Sequence, residues 1–345
     1  MSRVEYFCPG SLDPLGFSQD GLLRPDGGRY PFLPSVKGMP HPVPNFLELT
    51  AAGEGQRSSL AMYGTDAATA MYRNFLDWLF ATFDEPEVPW RARMIARLRL
   101  RPGDAVLITG CGLGDDIEPI LDAVGPQGEV HAQDLSAEMI QAASEHWARA
   151  ARGRQGQLRF SVGNALRLPF ATGNFDAAFH FGGINLFDDL GAGIAEMARV
   201  VRVGGRVVVG DEGVAPWLRD TDVGRMVICN NPLWGRTAPI ELLPEAVTDV
   251  TLDWVLGDCF WVIGFRKAEG PPHINPHILH KGRRGGSMWT RYHGQLEAVS
   301  PALRTEVRKA AGAAGQSVHE WLEATLRTRL SQSESSTAIP KPDAP

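Results

Sequence analysis

The residues best placed to do chemistry are a run of glycines and a carboxylate that follows them. In Val106-Leu107-Ile108-Thr109-Gly110-Cys111-Gly112-Leu113-Gly114-Asp115-Asp116 an apolar run gives way to Gly-x-Gly-x-Gly and then to a helical pattern. Glycine lets the backbone turn tightly and approach a ligand without a Cβ in the way. The free N–H groups at the helix start face that ligand. Asp134 ends the next apolar run, Val130-His131-Ala132-Gln133, and a carboxylate there can accept both hydroxyls of a ribose. Loop and acid in this order predict a nucleoside site. The competing use of Asp134 is as a helix N-cap, a role for which Ser136 stands ready. A candidate proton acceptor is His180, in Phe179-His180-Phe181-Gly182-Gly183-Ile184-Asn185, whose neutral imidazole can take a proton near pH 7. Asn185, Asp211 and Glu212 are further candidates at strand ends, and Asp211-Glu212 reads equally well as a polar rim.

The helix start discriminates between nucleosides. A dinucleotide's pyrophosphate calls for Gly-x-Gly-x-x-Gly and an electropositive helix N-terminus. Here that position carries Asp115 and Asp116. Like charges a few ångströms apart cost about 1–4 kcal/mol at effective dielectrics of 80 to 20. The pair therefore predicts S-adenosylmethionine, with its cationic amino and sulfonium groups, over NAD.

These residues need a frame of strands and helices. Residues 58–83 and 88–100 carry helical spacing, with Met71, Phe75, Trp78, Leu79 and Phe83 sharing a face. Arg101-Pro102-Gly103-Asp104 breaks the pattern. Strands are then expected at Ala105–Thr109, Glu129–Gln133, Leu158–Ser161, Phe175–Phe181 and Gly205–Gly210. Helices are expected at Asp116–Val124, Ser136–Arg152 and Gly191–Val201. Val250–Leu256 and Phe260–Lys267 flank Gly257-Asp258-Cys259 and predict an antiparallel hairpin. The fold class is α/β: a Rossmann-like doubly wound sheet, mostly parallel with a terminal antiparallel strand, plus a small helical C-terminal unit. The expected divisions are an irregular N-terminal cap (1–57), a catalytic domain (58–268, core 103–268), a linker (269–294), a C-terminal unit (295–330) and a disordered tail (331–345). Trp217–Leu243 is long for a connection and, with Met226, Leu233 and Trp234, predicts an apolar acceptor lid or an ordinary packed insertion. Tyr63 and Tyr72 are placed to lie over a cationic cofactor.

The segments VLITGCGLGDD, VHAQDLSAEMI, GNALRLPFATGNFDAAFHF and EMARVVRVGGRVVVGDE fall in the order and spacing of the class I S-adenosylmethionine-dependent methyltransferases. Over residues 60–268 the chain resembles the ubiquinone/menaquinone-type C-methyltransferases and their small-molecule relatives. The resemblance implies that Gly110, Cys111, Gly112 and Gly114 cup the methionine part and that Asp134 holds the ribose. It also implies that Asn164 and Ala165 contact adenine and that Leu135 and Met139 wall it. Two positions depart from the family pattern. Ile108 stands where an acid usually binds the amino group, a contact that Asp115 or Asp116 can replace, and Asn164 stands where Asp is usual.

The chain has 345 residues, 43% hydrophobic and 21% charged, with net charge −6. That argues against a whole-chain nucleic-acid or membrane binder. Its four cysteines are scattered, which fits reduced thiols in the cytoplasm and no metal site. The N-terminal segment around Cys8 looks like a degenerate zinc-ribbon segment in which only that cysteine remains. His273, His277 and His280 read as surface residues of a Pro-rich linker. Residues 295–330 are expected as a strand (Gln295–Val299) and two helices joined by Gly315-Gln316-Ser317, an order that resembles ribbon-helix-helix modules. That resemblance implies a homodimer and, as one alternative, DNA binding, since Lys281–Leu330 holds nine basic and four acidic residues. The leading expectation is a small-molecule methyltransferase. The alternatives are a non-catalytic regulator that binds DNA through its C-terminal unit, and an NAD-dependent oxidoreductase.

Overall fold

The computed structural model describes residues 5–48, 53–65, 67–282, 286–289 and 299–336. It divides into two units, Met1–Pro272 and His273–Pro345.

In the first unit the Pro- and Gly-rich start folds as three short antiparallel strands, β1 (Gly16–Phe17), β2 (Gly21–Leu23) and β3 (Arg29–Pro31). It is less irregular than the sequence predicts, because Leu22, Tyr30 and Phe46 bury a small core of their own. Three helices follow: α1 (Glu54–Tyr63), α2 (Ala68–Thr82) and α3 (Glu87–Ala96). The single helix expected over 58–83 is thus two, divided around Gly64. The buried face of α2 is Ala68, Leu76, Leu79 and Phe80. Of the face expected from spacing, Met71, Phe75 and Trp78 stay 37–45% exposed. The helix packs one side on the core and leaves a second apolar side half-exposed.

The alternation expected from residue 105 onward is present. Strands β4 (Ala105–Thr109), β5 (Glu129–Asp134), β6 (Leu158–Val162), β7 (Phe175–Phe181) and β8 (Val201–Glu212) are mutually parallel. Their crossover helices are α4 (Ile117–Val124), α5 (Ala137–Ala150) and α6 (Leu190–Val200). After α7 (Asp222–Asn230), β9 (Val247–Val255) and β10 (Phe260–Lys267) form the expected hairpin. The order is β6-β5-β4-β7-β8-β10-β9, and β10 alone runs antiparallel, inserted between β8 and β9. This is the Rossmann-like α/β sheet expected.

Strand alternation feeds two cores. Val106, Ile108, Val130, Ala132 and Phe160 pack toward α2–α5. Leu107, Ala178, Val209, Trp261 and Ile263 pack with Ile194 and Met197 of α6. The N-terminal segment covers the β6 edge: Phe46 N–H donates to Val162 O at 2.8 Å and Val162 N–H to Pro44 O at 2.9 Å. An edge so covered offers no free ladder to another chain.

In the second unit, α8 (Pro301–Ala313) and α9 (Val318–Ser336) are the two expected helices. Gly315 takes φ +66°, as a helix C-terminus commonly requires. The capping box is formed: Glu320 N–H donates to Ser317 Oγ at 3.2 Å, and Ser317 N–H to a Glu320 carboxylate oxygen at 2.8 Å. The helix runs on to Ser336, so residues 331–336 of the expected disordered tail are helical. The strand expected at 295–299 lies, save for its last residue, outside the described residues, as does the tail beyond 336.

Candidate functional site

The C-terminal ends of β4, β5, β7 and β8 open into a cavity of about 410 Å³ that is roofed by α1, α2 and α3. Gly110, Gly112, Asp134, Leu135, Met139, Asn164, Ala165 and His180 all line it. Cys111 and Gly114 do not. Cys111 turns into the core and donates its N–H to Gln133 O at 3.0 Å. Gly114 faces Trp147 and Ile117, and a Cβ there would lie 2.8 Å from Trp147 Nε1.

The loop is shaped by backbone conformations that only glycine adopts freely. Gly110 and Gly112 have φ +61° and +53°, and a Cβ on Gly112 would lie 3.1 Å from the Tyr72 ring. Asp134 holds the loop: Gly112 N–H donates to its Oδ2 at 2.8 Å, and Ser136 N–H donates to its Oδ1 at 2.9 Å. Burial raises its pKa, while the N–H groups of Ser136, Gly112 and Leu135 pull it back. The N-cap duty falls to Ser136, whose Oγ accepts Met139 N–H at 3.1 Å and donates to Tyr63 O at 2.7 Å. The end of α1 is thereby tied to the site. Asn164 Oδ1 accepts Leu166 N–H, and its Nδ2 donates to Gln56 Oε1 at 3.0 Å.

Charge at the α4 start differs from the sequence expectation. Asp115 and Asp116 are not a free acidic pair. Arg91 of α3 donates to Asp116 at 2.9 Å and to Glu87 at 2.8 Å, and Arg73 of α2 donates to Asp115 at 2.5 Å. Neither aspartate lines the cavity; Arg91 does. Burial works against the guanidinium's charge, but Asp116, with Asp115 and Glu87, outweighs it and raises the pKa. Both acids are engaged by arginines and tie α2 and α3 to the start of α4. Ile108 itself is 1% exposed and packs in the core.

Beneath the loop lies a row of buried polar side chains. Ser161, Gln133, Thr109 and His180 sit on neighbouring parallel strands, each at most 1% exposed. Thr109 Oγ1 and His180 Nδ1 are 3.0 Å apart. Both amide atoms of Gln133 and Nε2 of His180 are buried without a well-formed hydrogen bond. Buried polar atoms left so are costly unless something else satisfies them. Burial lowers the His180 pKa to about 4, so the imidazole is neutral at pH 7 and a weak base. Gln133 was not singled out from sequence, because a lone amide in an apolar strand carries no motif.

Apolar side chains also line the cavity, among them Met62, Met71, Phe75, Phe80, Phe181 and Phe260. Tyr63 and Tyr72 meet edge to face 6.4 Å apart and line it too. Burial, with nearby Glu212, pushes the Tyr63 pKa up to about 12. Of the expected lid, Leu233 lines the cavity, Trp234 is 2% exposed against Phe83 and Phe260, and Met226 is 70% exposed. Of that segment only Asn231 and Leu233 line the cavity, and much of the rest is exposed. Among the described residues no group of His, Cys, Asp and Glu could hold a metal ion, and no helix is long and apolar enough to cross a membrane.

Residues 106–205 match a family model described as a methyltransferase domain. Over this segment the chain is similar to methyltransferase domains. The chain is 34% identical over 128 residues to a demethylmenaquinone methyltransferase of Beutenbergia cavernae, covering 37% of this chain and 49% of that one. It is 32% identical over 120 residues to the ubiquinone/menaquinone biosynthesis C-methyltransferase UbiE of Francisella philomiragia, covering 35% and 47%. The chain thus spans about half the length of the curated relatives it matches. Among solved structures, a Haemonchus contortus phosphoethanolamine N-methyltransferase 2 in complex with S-adenosyl-L-methionine aligns with TM-score 0.49 and 14% identity, covering 66% of this chain and 62% of that one.

Proposed function

We propose that this protein transfers a methyl group from S-adenosylmethionine to a small, largely apolar acceptor. The observation that carries the reading is the pairing of Asp134 with the positive-φ loop: its Oδ2 holds Gly112 N–H at a cavity lined largely by apolar side chains. The residues present fit the cofactor. Gly110 and Gly112 leave a cradle that side chains would fill, and Asp134 keeps lone pairs for ribose hydroxyls. Asn164, Ala165, Leu135 and Met139 offer polar and apolar edges to a purine. Arg91, the one Arg or Lys among the lining residues, offers a positive group to a carboxylate.

The bound cofactor supplies a methyl group already activated by a sulfonium. The protein's part is alignment, which can contribute about 7–11 kcal/mol to a displacement of this kind. Tyr63 and Tyr72 present aromatic faces that attract a cation by about 0.5–2 kcal/mol. His180, the base suggested by its place at the strand edge, fits better as a neutral hydrogen-bonding group, since burial weakens it as a base. The apolar cavity and the quinone methyltransferases among the relatives favour a ring-bearing acceptor. A homodimer assembled through the C-terminal unit belongs to the same proposal, supported by the exposed Leu303, Leu326 and Leu330 of its helix pair. So does a cytoplasmic setting, which the four free cysteines fit.

Asp134→Asn keeps the shape of the side chain and removes its charge. Hydrogen bonds to charged groups are worth about 1.5–3 kcal/mol, so calorimetry should show S-adenosylmethionine binding weakened about tenfold or more. Unchanged affinity removes the ribose assignment.

A further inference from the structure

The geometry points to Glu212 as the group that takes the acceptor's proton, and so to an acceptor whose nucleophilic atom carries an O–H or N–H on an apolar ring. This deepens the methyl-transfer reading and rests on it.

Three carboxylates line the cavity: Asp134, Asp188 and Glu212. Two of them are committed to the backbone. Asp134 holds Gly112 and Ser136. Asp188 accepts Gly55 N–H at 2.7 Å and Gln56 N–H at 3.4 Å, which fixes the start of α1. Glu212 ends β8, and the structure around it holds its main chain in place. Its carbonyl accepts Trp261 Nε1–H at 3.0 Å and Asn185 Nδ2–H at 2.8 Å. Its register partner on β10 is Phe260, itself part of the apolar lining. Glu212 thus lines the cavity, with Phe260 beside it, from a strand end whose main chain is held in place.

Asp211 stands behind it. This side chain is 0% exposed, and its oxygens accept Asn185 N–H at 2.5 Å and Glu212 N–H at 2.8 Å. Burial and the adjacent Glu212 raise its pKa well above the carboxylate range. Asp211, which holds the Glu212 main chain, is the positioning partner. The second polar group facing the cavity from the neighbouring strand is His180, 1% exposed and without a well-formed partner at Nε2. Its chemistry is that of a neutral hydrogen-bond partner for the acceptor, not of its base.

The step balances. The acceptor's O–H or N–H bond breaks, its proton goes to the Glu212 carboxylate and its electron pair stays on the acceptor atom. That atom bonds to the methyl carbon as the S–CH₃ bond breaks, and the bonding pair returns to sulfur as a neutral thioether. The proton leaves Glu212 for solvent as the product departs.

The test uses the full chain saturated with S-adenosylhomocysteine. The probes are 1-naphthol, which has the proton, and naphthalene, which has the same ring without it. Wild type is expected to bind 1-naphthol at least about tenfold more tightly than naphthalene, the range for a hydrogen bond to a charged acceptor. Glu212→Leu should bring the two probes to equal affinity and Glu212→Gln should remove most of the preference. Both variants should still bind S-adenosylhomocysteine, which shows that the fold and the cofactor site persist. A preference that survives in both variants, or one lost in His180→Ala and kept in Glu212→Gln, overturns the assignment. So does failure of wild type to bind either probe while holding S-adenosylhomocysteine. If S-adenosylhomocysteine itself fails to bind wild type, the underlying methyl-transfer reading falls with it, an outcome the titration reports separately.

Discussion

Arg91→Met is expected to destabilise the protein by about 3–5 kcal/mol, the range for removing one partner of a buried ion pair. Arg91 is 6% exposed and serves Asp116, Glu87 and, at 3.7 Å, Asp115. Methionine keeps much of the stem that packs near Phe80 but leaves buried Asp116 facing no cation. Because α3 is joined to the glycine loop through these acids, the cofactor site should loosen together with the fold. At about 2–4 °C per kcal/mol for a domain of this size, the melting temperature should fall by about 6–20 °C. The pH dependence has a definite sign. Burial already raises the Asp116 pKa against the pull of Arg91, and losing Arg91 raises it further. A folded state that binds more protons than the unfolded one loses stability as pH rises. The gap between variant and wild type should thus be wider at pH 7 than at pH 5. Buried His180 and His131, lowered to about 4 and about 3, act in the opposite sense but equally in both proteins. Thermal melts at the two pH values check this. A shift under about 2 °C contradicts the network's role.

Gly112→Val is expected to abolish cofactor binding while leaving most of the fold. The residue has φ +53°, where a β-branched side chain is strained by about 1–3 kcal/mol. Its Cβ would lie 3.1 Å from the Tyr72 ring, and the added methyls would crowd the space between loop and ring. Its N–H is also the group that Asp134 grips. Strain, lost space and a displaced N–H act on the same site. S-adenosylmethionine affinity should fall by about a hundredfold or more, about 2.7 kcal/mol. Circular dichroism should show secondary structure intact, since Gly112 lies outside every strand and helix. Binding within threefold of wild type contradicts the placement of the cofactor against this loop.

The parts legible in the sequence are those with a local cause. Strands β4–β8 and the β9–β10 hairpin follow from runs of buried Val, Ile and Phe between turn residues. The loop and Asp134 were readable because glycine at positive φ and an acid at a strand end are local requirements. The Ser136 N-cap and the Ser317/Glu320 box were readable for the same reason. What the sequence hid depends on distant partners. Asp115 and Asp116 look like a bare acidic pair until Arg73 and Arg91, which precede them on other helices, are brought alongside. The half-exposed apolar side of α2 makes sense only once a cavity lies beneath it. The buried row from Ser161 to His180 arises from registers between four strands, and no single segment encodes it. His180 was visible by position, but its lowered basicity comes from burial that only the packed fold supplies.

The central claim is that the loop and Asp134 hold S-adenosylmethionine. Calorimetric titration of the full wild-type chain with S-adenosylmethionine, and separately with NAD, tests it most directly. The account predicts one S-adenosylmethionine per chain, bound more tightly than NAD at the same concentrations. Binding of NAD in place of S-adenosylmethionine, or of neither, would contradict it.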